Sequence, residues 1–279
     1  MATGQYSWNY GSSFGKLANG KVALSYTSDA TTPQGTYVRT GTVDPFTKAV
    51  TWGKAKRTSQ GTKFADRTSL AAGGNTVHAS WITQHRATIS DITQPRVAYV
   101  RTLVGSTLGA PIRLSSATGR VDYPIVAASG TNSYVTYTNA DTGKVVVRRS
   151  TDSGLSFLAA QTTGTTTRDD GEGKAAWPIN CVSGSNVAVV WLPGDGTIKL
   201  SLSENSGATF TTKSINAVNA GDNDGLVRYC PQEHLRLLRL WVSGLVQRHS
   251  GPERAWRRWN RCAALRAGRL RLHVEDNAH

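Results

Sequence analysis

The 279-residue sequence predicts an all-β fold, a β-propeller of four-stranded antiparallel blades, and three observations carry that prediction. First, a polar turn followed seven residues later by an aromatic recurs four times: Asn19 to Tyr26, Gly74 to Trp81, Gly130 to Tyr137 and Gly184 to Trp191. The aromatics lie 55, 56 and 54 residues apart, a period long enough for one small sheet per repeat. Second, apolar residues alternate between turn and aromatic, as in Val22 and Leu24, Val77 and Ala79, and Val187 and Val189. That is the period of a strand with one buried face, and in the third copy Ser133 replaces the first apolar residue while Val135 keeps the second. Third, glycine, serine and threonine are abundant, while helix formers are scarce until the last fifth of the chain.

Each repeat then fills in. A strand before the turn is expected at Ser69–Ala71, Ile125–Ala127 and Ile179–Cys181, and is unclear in the first copy. A strand after the aromatic is expected at Tyr37–Thr40, Tyr99–Thr102, Val146–Arg149 and Lys199–Leu202, across a hairpin loop of variable length. A fourth fits at Ala49–Trp52 and Pro111–Leu114. One small twisted sheet cannot bury both faces alone, so such sheets stack as blades. A two-sheet sandwich is the alternative, and the regular period counts against it. The aromatics Tyr26, Trp81, Tyr137 and Trp191 are expected to pack between blades rather than form a sugar-stacking ladder, and His78 to be an ordinary strand residue.

Two octets follow strand-like runs: Ser150 to Phe157, which reads Ser-x-Asp-x-Gly-x-x-Phe, and Ser203 to Phe210, with Asn205 where Asp152 stands. A side-chain oxygen at Asp152 or Asn205 can accept N–H bonds from the turn, Gly154 and Gly207 supply a positive φ, and Phe157 and Phe210 can anchor the turn by packing. On these residues the chain resembles the Asp-box, or BNR repeat, of sialidase-like β-propellers over about residues 10 to 225. In that family the box is a structural turn between the third and fourth strands of a blade. The resemblance implies a glycan-acting protein, with an exo-glycoside hydrolase of sialidase type as the first reading. The alternative is a non-catalytic propeller that binds carbohydrate or protein. It also implies a secreted protein, although no basic start and apolar run is visible after Met1.

Loops that open the innermost strands converge at one end of a propeller channel. Asp66 and Asp122 lie at one offset, eight residues before Gly74 and Gly130, with Arg67 and Arg120 beside them. Before the fourth repeat stands Arg168-Asp169-Asp170-Gly171-Glu172. A pair of carboxyl groups suits glycoside hydrolysis, and guanidinium groups bind a sugar carboxylate in a fork. The candidate catalytic residues are therefore Asp66, Asp122 and Glu172, and the candidate substrate-binding residues Arg67, Arg120, Arg168 and Asp170. The plainer reading of Asp66 and Asp122 is that they bond the turn backbone. Sialidases use three arginines on the substrate carboxylate, an Asp acid/base and a Tyr activated by a Glu, beside a Phe/Tyr-Arg-Ile-Pro motif. That motif is missing here, and no tyrosine is identifiable as the partner of Glu172.

The formal charge of +14 is unevenly placed. Residues 1–227, the propeller domain, carry +7, and residues 228–279 carry another +7 from 11 arginines and four acids. This second segment shows no strand alternation. It reads either as a basic amphipathic helix (Leu235, Leu238, Val242, Leu245) able to meet nucleic acid or an anionic membrane, or as an out-of-frame translation, which is preferred. Six blades complete a sialidase-type ring and four are legible, so an incomplete ring with an exposed blade face is expected. No apolar stretch is long enough to span a membrane. Cys181, Cys230 and Cys262 form neither a metal-ligand spacing nor a disulfide framework, so free thiols, no metal and no cofactor are expected.

Overall fold

The structure is a computed structural model and describes residues 13–28, 35–61, 64–84 and 93–215. The readings of 228–279 lie outside these residues. The described chain is all β, in four antiparallel sheets met one after another. The first blade comprises β1 (Ser13–Lys16), β2 (Val22–Ser28) and β3 (Gly35–Val43), then β4 (Val50–Trp52) and β5 (Lys56–Arg57). Both β4 and β5 pair with β3, at Gly41↔Trp52 and Tyr37↔Arg57, so they are two pieces of one interrupted outer strand. The second blade repeats this with β6 (Phe64–Gly73), β7 (Thr76–Gln84), β8 (Arg96–Val104), and a split outer strand of β9 (Thr107–Leu108) and β10 (Ile112–Arg113). The third holds β11 (Val121–Ser129), β12 (Asn132–Asn139), β13 (Lys144–Ser150) and β14 (Gln161–Thr165). The fourth holds β15 (Ile179–Ser183), β16 (Asn186–Trp191), β17 (Ile198–Ser203) and β18 (Thr211–Ile215).

Blade packing explains the alternation. Leu17, Ala23 and Val38 of the first blade meet Leu70, Val77 and Leu103 of the second. Ile82, Ala98 and Val100 of the second meet Val126, Val135 and Tyr137 of the third. Tyr134, Val145 and Val147 of the third meet Val182, Val187, Val189 and Trp191 of the fourth. Sheets buried on both faces carry apolar residues at both parities, as β7 does with its unbroken buried run after Thr76. Trp81, Tyr137 and Trp191 are buried as expected, and Trp81 stacks on its cross-strand partner Tyr99 with centroids 5.7 Å apart. Tyr26 is half-buried and stacks on Tyr37 at 5.6 Å. One buried polar link joins the third and fourth blades: the Asn180 side-chain amide donates to the Ile125 and Tyr134 carbonyls and to the Thr136 hydroxyl at 3.0–3.1 Å.

Both octets form the same turn, each between the third and fourth strands of its blade. The Ser150 hydroxyl donates to Asp152 Oδ1 (2.7 Å) and accepts from Gly154 N (2.9 Å), while Ser156 N donates to Asp152 Oδ1 (3.0 Å). Ser203, Asn205, Gly207 and Thr209 reproduce these bonds at 2.9, 2.8 and 3.0 Å. Gly154 has φ +79°, and a Cβ there would lie 2.5 Å from Thr102 Oγ1 and 2.6 Å from His78 Nδ1, so the turn of the third blade closes onto the second. Gly207 (φ +76°) sits likewise on the Tyr134 ring, whose hydroxyl donates to the Ser206 carbonyl at 3.0 Å. Phe157 and Phe210 pack against the apolar clusters between blades.

One expectation is overturned. Cys181 on β15 is buried and disulfide-bonded, with its partner outside the described residues. The sequence spacing could not show this, because two cysteines joined in the fold need no regular interval in sequence. Among the described residues, no helix is long and apolar enough to cross a membrane.

Candidate functional site

The strands β1, β6, β11 and β15 neighbour one another through the stack and so line its axis. At one end of that axis, β6 and β11 each carry a bulge: the register to the next strand shifts between Asp66 and Ser69, and again between Asp122 and Ile125. A bulge re-aims a side chain that regular pleating would bury. The re-aimed residues, Arg67 and Tyr123, take left-handed φ values of +53° and +50°, and Trp177 just before β15 takes +46°. This conformation is unfavourable for a side-chain-bearing residue and calls for a local partner. In two blades the preceding aspartate supplies it, Asp66 Oδ1 accepting from Arg67 N at 2.6 Å and Asp122 Oδ1 from Tyr123 N at 3.0 Å.

Charges converge on this end. Arg67 ion-pairs with Asp122 and donates through Nη2 to Glu172 Oε2 at 2.9 Å. Arg96, at the start of β8, donates through Nη1 to the same Oε2 at 2.5 Å and through Nη2 to the Glu172 carbonyl at 2.8 Å. Asp122 Oδ2 lies 3.9 Å from Arg96 Nη1. Arg120 reaches the Glu172 carbonyl at 3.4 Å and is otherwise held by Asp141 at 2.6 Å. Depth separates the acids: the Asp122 side chain is 1% exposed and that of Glu172 31%. Arg96 is 2% exposed, and burial, followed by the Arg67 charge, pulls its guanidinium below the usual value, with Glu172 opposing the shift. Beside this cluster, the Arg67 guanidinium lies 4.7 Å from the Tyr123 ring centroid, Tyr123 meets Trp177 edge-on at 5.9 Å, and Arg168 stacks on Trp177 at 3.4 Å.

Of the residues singled out from sequence, Arg67, Arg120, Asp122 and Glu172 therefore meet. Asp66 faces elsewhere: besides capping Arg67 N, it takes a 3.5 Å bond from the Thr27 hydroxyl of the first blade. Asp170 holds the loop by accepting from Glu172 N at 3.0 Å, and Arg168 pairs with Trp177 instead of Glu172. Arg96, Tyr123 and Trp177 were not among the site residues expected from the sequence. A usable signal existed for the last two, since Arg67, Tyr123 and Trp177 each stand seven residues before the glycine that turns into the next strand. Arg96 had none; it follows the hairpin loop that is longest in its repeat.

At the other end of the axis, a cavity of about 250 Å³ is lined by Lys16, Ala18, Gly74, Ser129, Gly130 and Ser183, among others. Lys16 is the one charged residue of that lining, in contrast to the charge cluster at the arginine end.

No protein-family model and no curated protein matches this sequence. Solved structures do. An α-L-arabinofuranosidase of Fusarium graminearum, solved with an iminosugar inhibitor, matches with a TM-score of 0.50 at 13% identity over 76% of this chain and 68% of that one. The Trypanosoma rangeli sialidase in complex with the inhibitor DANA matches at 0.46 and 12%, over 72% of this chain and 37% of that one. A Hadza microbial sialidase matches at 0.48 and 10%, over 75% and 46%. The chain spans less than half the length of these sialidases. At such identities the likeness is one of fold: four consecutive blades of a β-propeller.

Proposed function

We propose that the protein acts on glycans at the arginine end of its axis, as an exo-glycoside hydrolase of sialidase type that reads an acidic sugar. The observation carrying this is the convergence of Arg67, Arg96 and Arg120 on Glu172. Fixed guanidinium groups in a water-poor setting are suited to a sugar carboxylate. Breaking a glycosidic bond requires a proton on the departing oxygen and a nucleophile at the anomeric carbon. Of the two carboxylates in the cluster, Glu172 is the one open to a ligand, so proton transfer falls to it. Asp122, buried beneath, positions Arg67 and caps Tyr123. Tyr123, whose ring centroid lies 4.7 Å from the Arg67 guanidinium, is the tyrosine we assign to this site in place of the one the sequence did not reveal. Secretion and the Asp-box assignment of the two octets belong to the same reading.

A panel of fluorogenic α-sialoside, β-glucuronide and α-L-arabinofuranoside tests it. Release of fluorophore from an acidic glycoside is expected, with Arg96→Met lowering turnover roughly a hundredfold through loss of a fixed donor. A non-catalytic binding propeller is the second reading, favoured by the two guanidinium groups that hold Glu172 as an anion. Binding of acidic sugars without turnover of any substrate selects it, and neither binding nor turnover rejects both.

A further inference from the structure

We infer that the Arg67–Arg96–Arg120 cluster is a carboxylate-recognition site that the chain's own Glu172 fills in the free protein, and that an acidic ligand enters by displacing the Glu172 carboxylate. The ligand class, a sugar acid, rests on the function proposed above; the competition rests on geometry. Two donors from different blade elements, Arg67 Nη2 and Arg96 Nη1, point at one oxygen, Glu172 Oε2, at 2.9 and 2.5 Å. This is how a site built for a carboxylate looks when a carboxylate is in it.

The occupant is mounted to leave. Glu172 sits at the tip of a loop whose stem is fixed: Lys174 N donates to the Ala140 carbonyl at 2.8 Å, Ala175 N to the Arg168 carbonyl at 3.1 Å, and Asp169 bridges to Lys174. The tip is flanked by Gly171 (φ +87°), with open space where a Cβ would stand, and by Gly173 (φ +128°). Only the side chain has to move. The Glu172 carbonyl can stay on Arg96 Nη2 and Arg120 Nη1 while the carboxylate, 31% exposed, rotates into solvent.

Leaving the site empty is costly. Without the Glu172 carboxylate, Arg67 keeps Asp122 and Arg120 keeps Asp141, while Arg96 keeps the residue-172 carbonyl and an oxygen of Asp122 at 3.9 Å, with the Asp170 charge also favouring its cation. Arg96 is 2% exposed, and its Nε already finds no acceptor among the described residues. A buried cation loses stabilisation when its closest carboxylate is withdrawn, so removal of the Glu172 carboxylate favours a ligand carboxylate in its place.

The test is Glu172→Ala, with Glu172→Gln as the near-isosteric variant should the first fold poorly. Calorimetric titration with D-glucuronate, using D-glucose as the neutral control, is expected to give about tenfold tighter binding in either variant than in the wild type, with no change for D-glucose. Acetate, but not chloride at equal ionic strength, is expected to raise the melting temperature of Glu172→Ala and leave the wild type unmoved. D-Glucuronate binding to both variants that is no tighter than to the wild type overturns the proposal, because Glu172 would then assist the ligand. Absence of glycoside turnover combined with tightened carboxylate binding sinks the hydrolase reading and upholds this one; turnover with unchanged binding does the reverse.

Discussion

His78 shows how a single residue couples packing to pH. Its ring lies fully buried between the second and third blades, with Nδ1 3.3 Å from the Thr102 hydroxyl and the Gly154 turn pressed against it. Desolvation lowers its pKa to about 4 from 6.5. Between those values the unfolded chain takes up a proton that the folded chain refuses, so stability is full above about pH 6.5 and falls as pH drops toward 4. The loss is expected to be on the order of 3 kcal/mol, and urea denaturation of wild type against His78→Gln at several pH values checks it: the variant's profile should be flatter across that window. The sequence pattern correctly put His78 on a strand, but alternation alone cannot show that both faces of β7 are covered. At the site, the common offset of Asp66 and Asp122 from the glycine turns, with Arg67 beside the first, was legible in the sequence. Arg96 was not, because its role depends on which loop of another blade comes to meet it.

Among the elements, the two octet turns make a controlled pair. Hydrogen bonds from the Ser156 hydroxyl, then the Ser150 hydroxyl, then Ser156 N hold the Asp152 carboxyl down to about 2 from 3.8. Their contribution is present above about pH 3.8 and is lost as pH falls through 2. Asn205 makes the equivalent bonds without a titrating group. Asp152→Asn is therefore expected to fold normally, shift the neutral-pH melting temperature little, and erase the part of the acid-induced melting that falls between pH 3.8 and 2. A neutral-pH loss as large as that of a core truncation would contradict this. Most strands were readable because turn and alternation recur in phase. The exception, β1, is four residues long and includes Gly15, where a Cβ would stand 2.9 Å from Leu70 Cδ2, so close packing removed the apolar residue that alternation looks for. The split outer strands of the first two blades were likewise visible only as room for one strand.

For the molecule as a whole, stability is carried by interfaces between successive blades, each made by its neighbours alone. Trp191 is 1% exposed in the interface of the third and fourth blades, where Gly164 approaches so closely that a Cβ would lie 2.2 Å from the indole. Trp191→Ala is expected to cost about 3–5 kcal/mol. Hydrogen exchange should show amides of β15 to β17 losing protection while β7 and β8 keep theirs; uniform loss across all four blades would mean that the stack unfolds as one unit. The repeat period made this architecture legible at the level of sequence. The arginine cluster was only half legible, since it joins residues of β6, β8 and β11 to the segments that precede β11 and β15.

The left-handed residues at 67, 123 and 177 have a consequence for how such a protein can be altered. Arg67 and Tyr123 protrude from bulges and Trp177 stands at the same offset just before β15, and two of the three are steadied by the aspartate before them through a backbone bond that ignores side-chain identity. Arg, Tyr and Trp already occupy these equivalent sockets. The sockets are thus comparable fittings on a fixed frame: exchanging the residue in one rewrites what that end of the axis presents to a ligand, and leaves the apolar layers between the blades beneath unchanged.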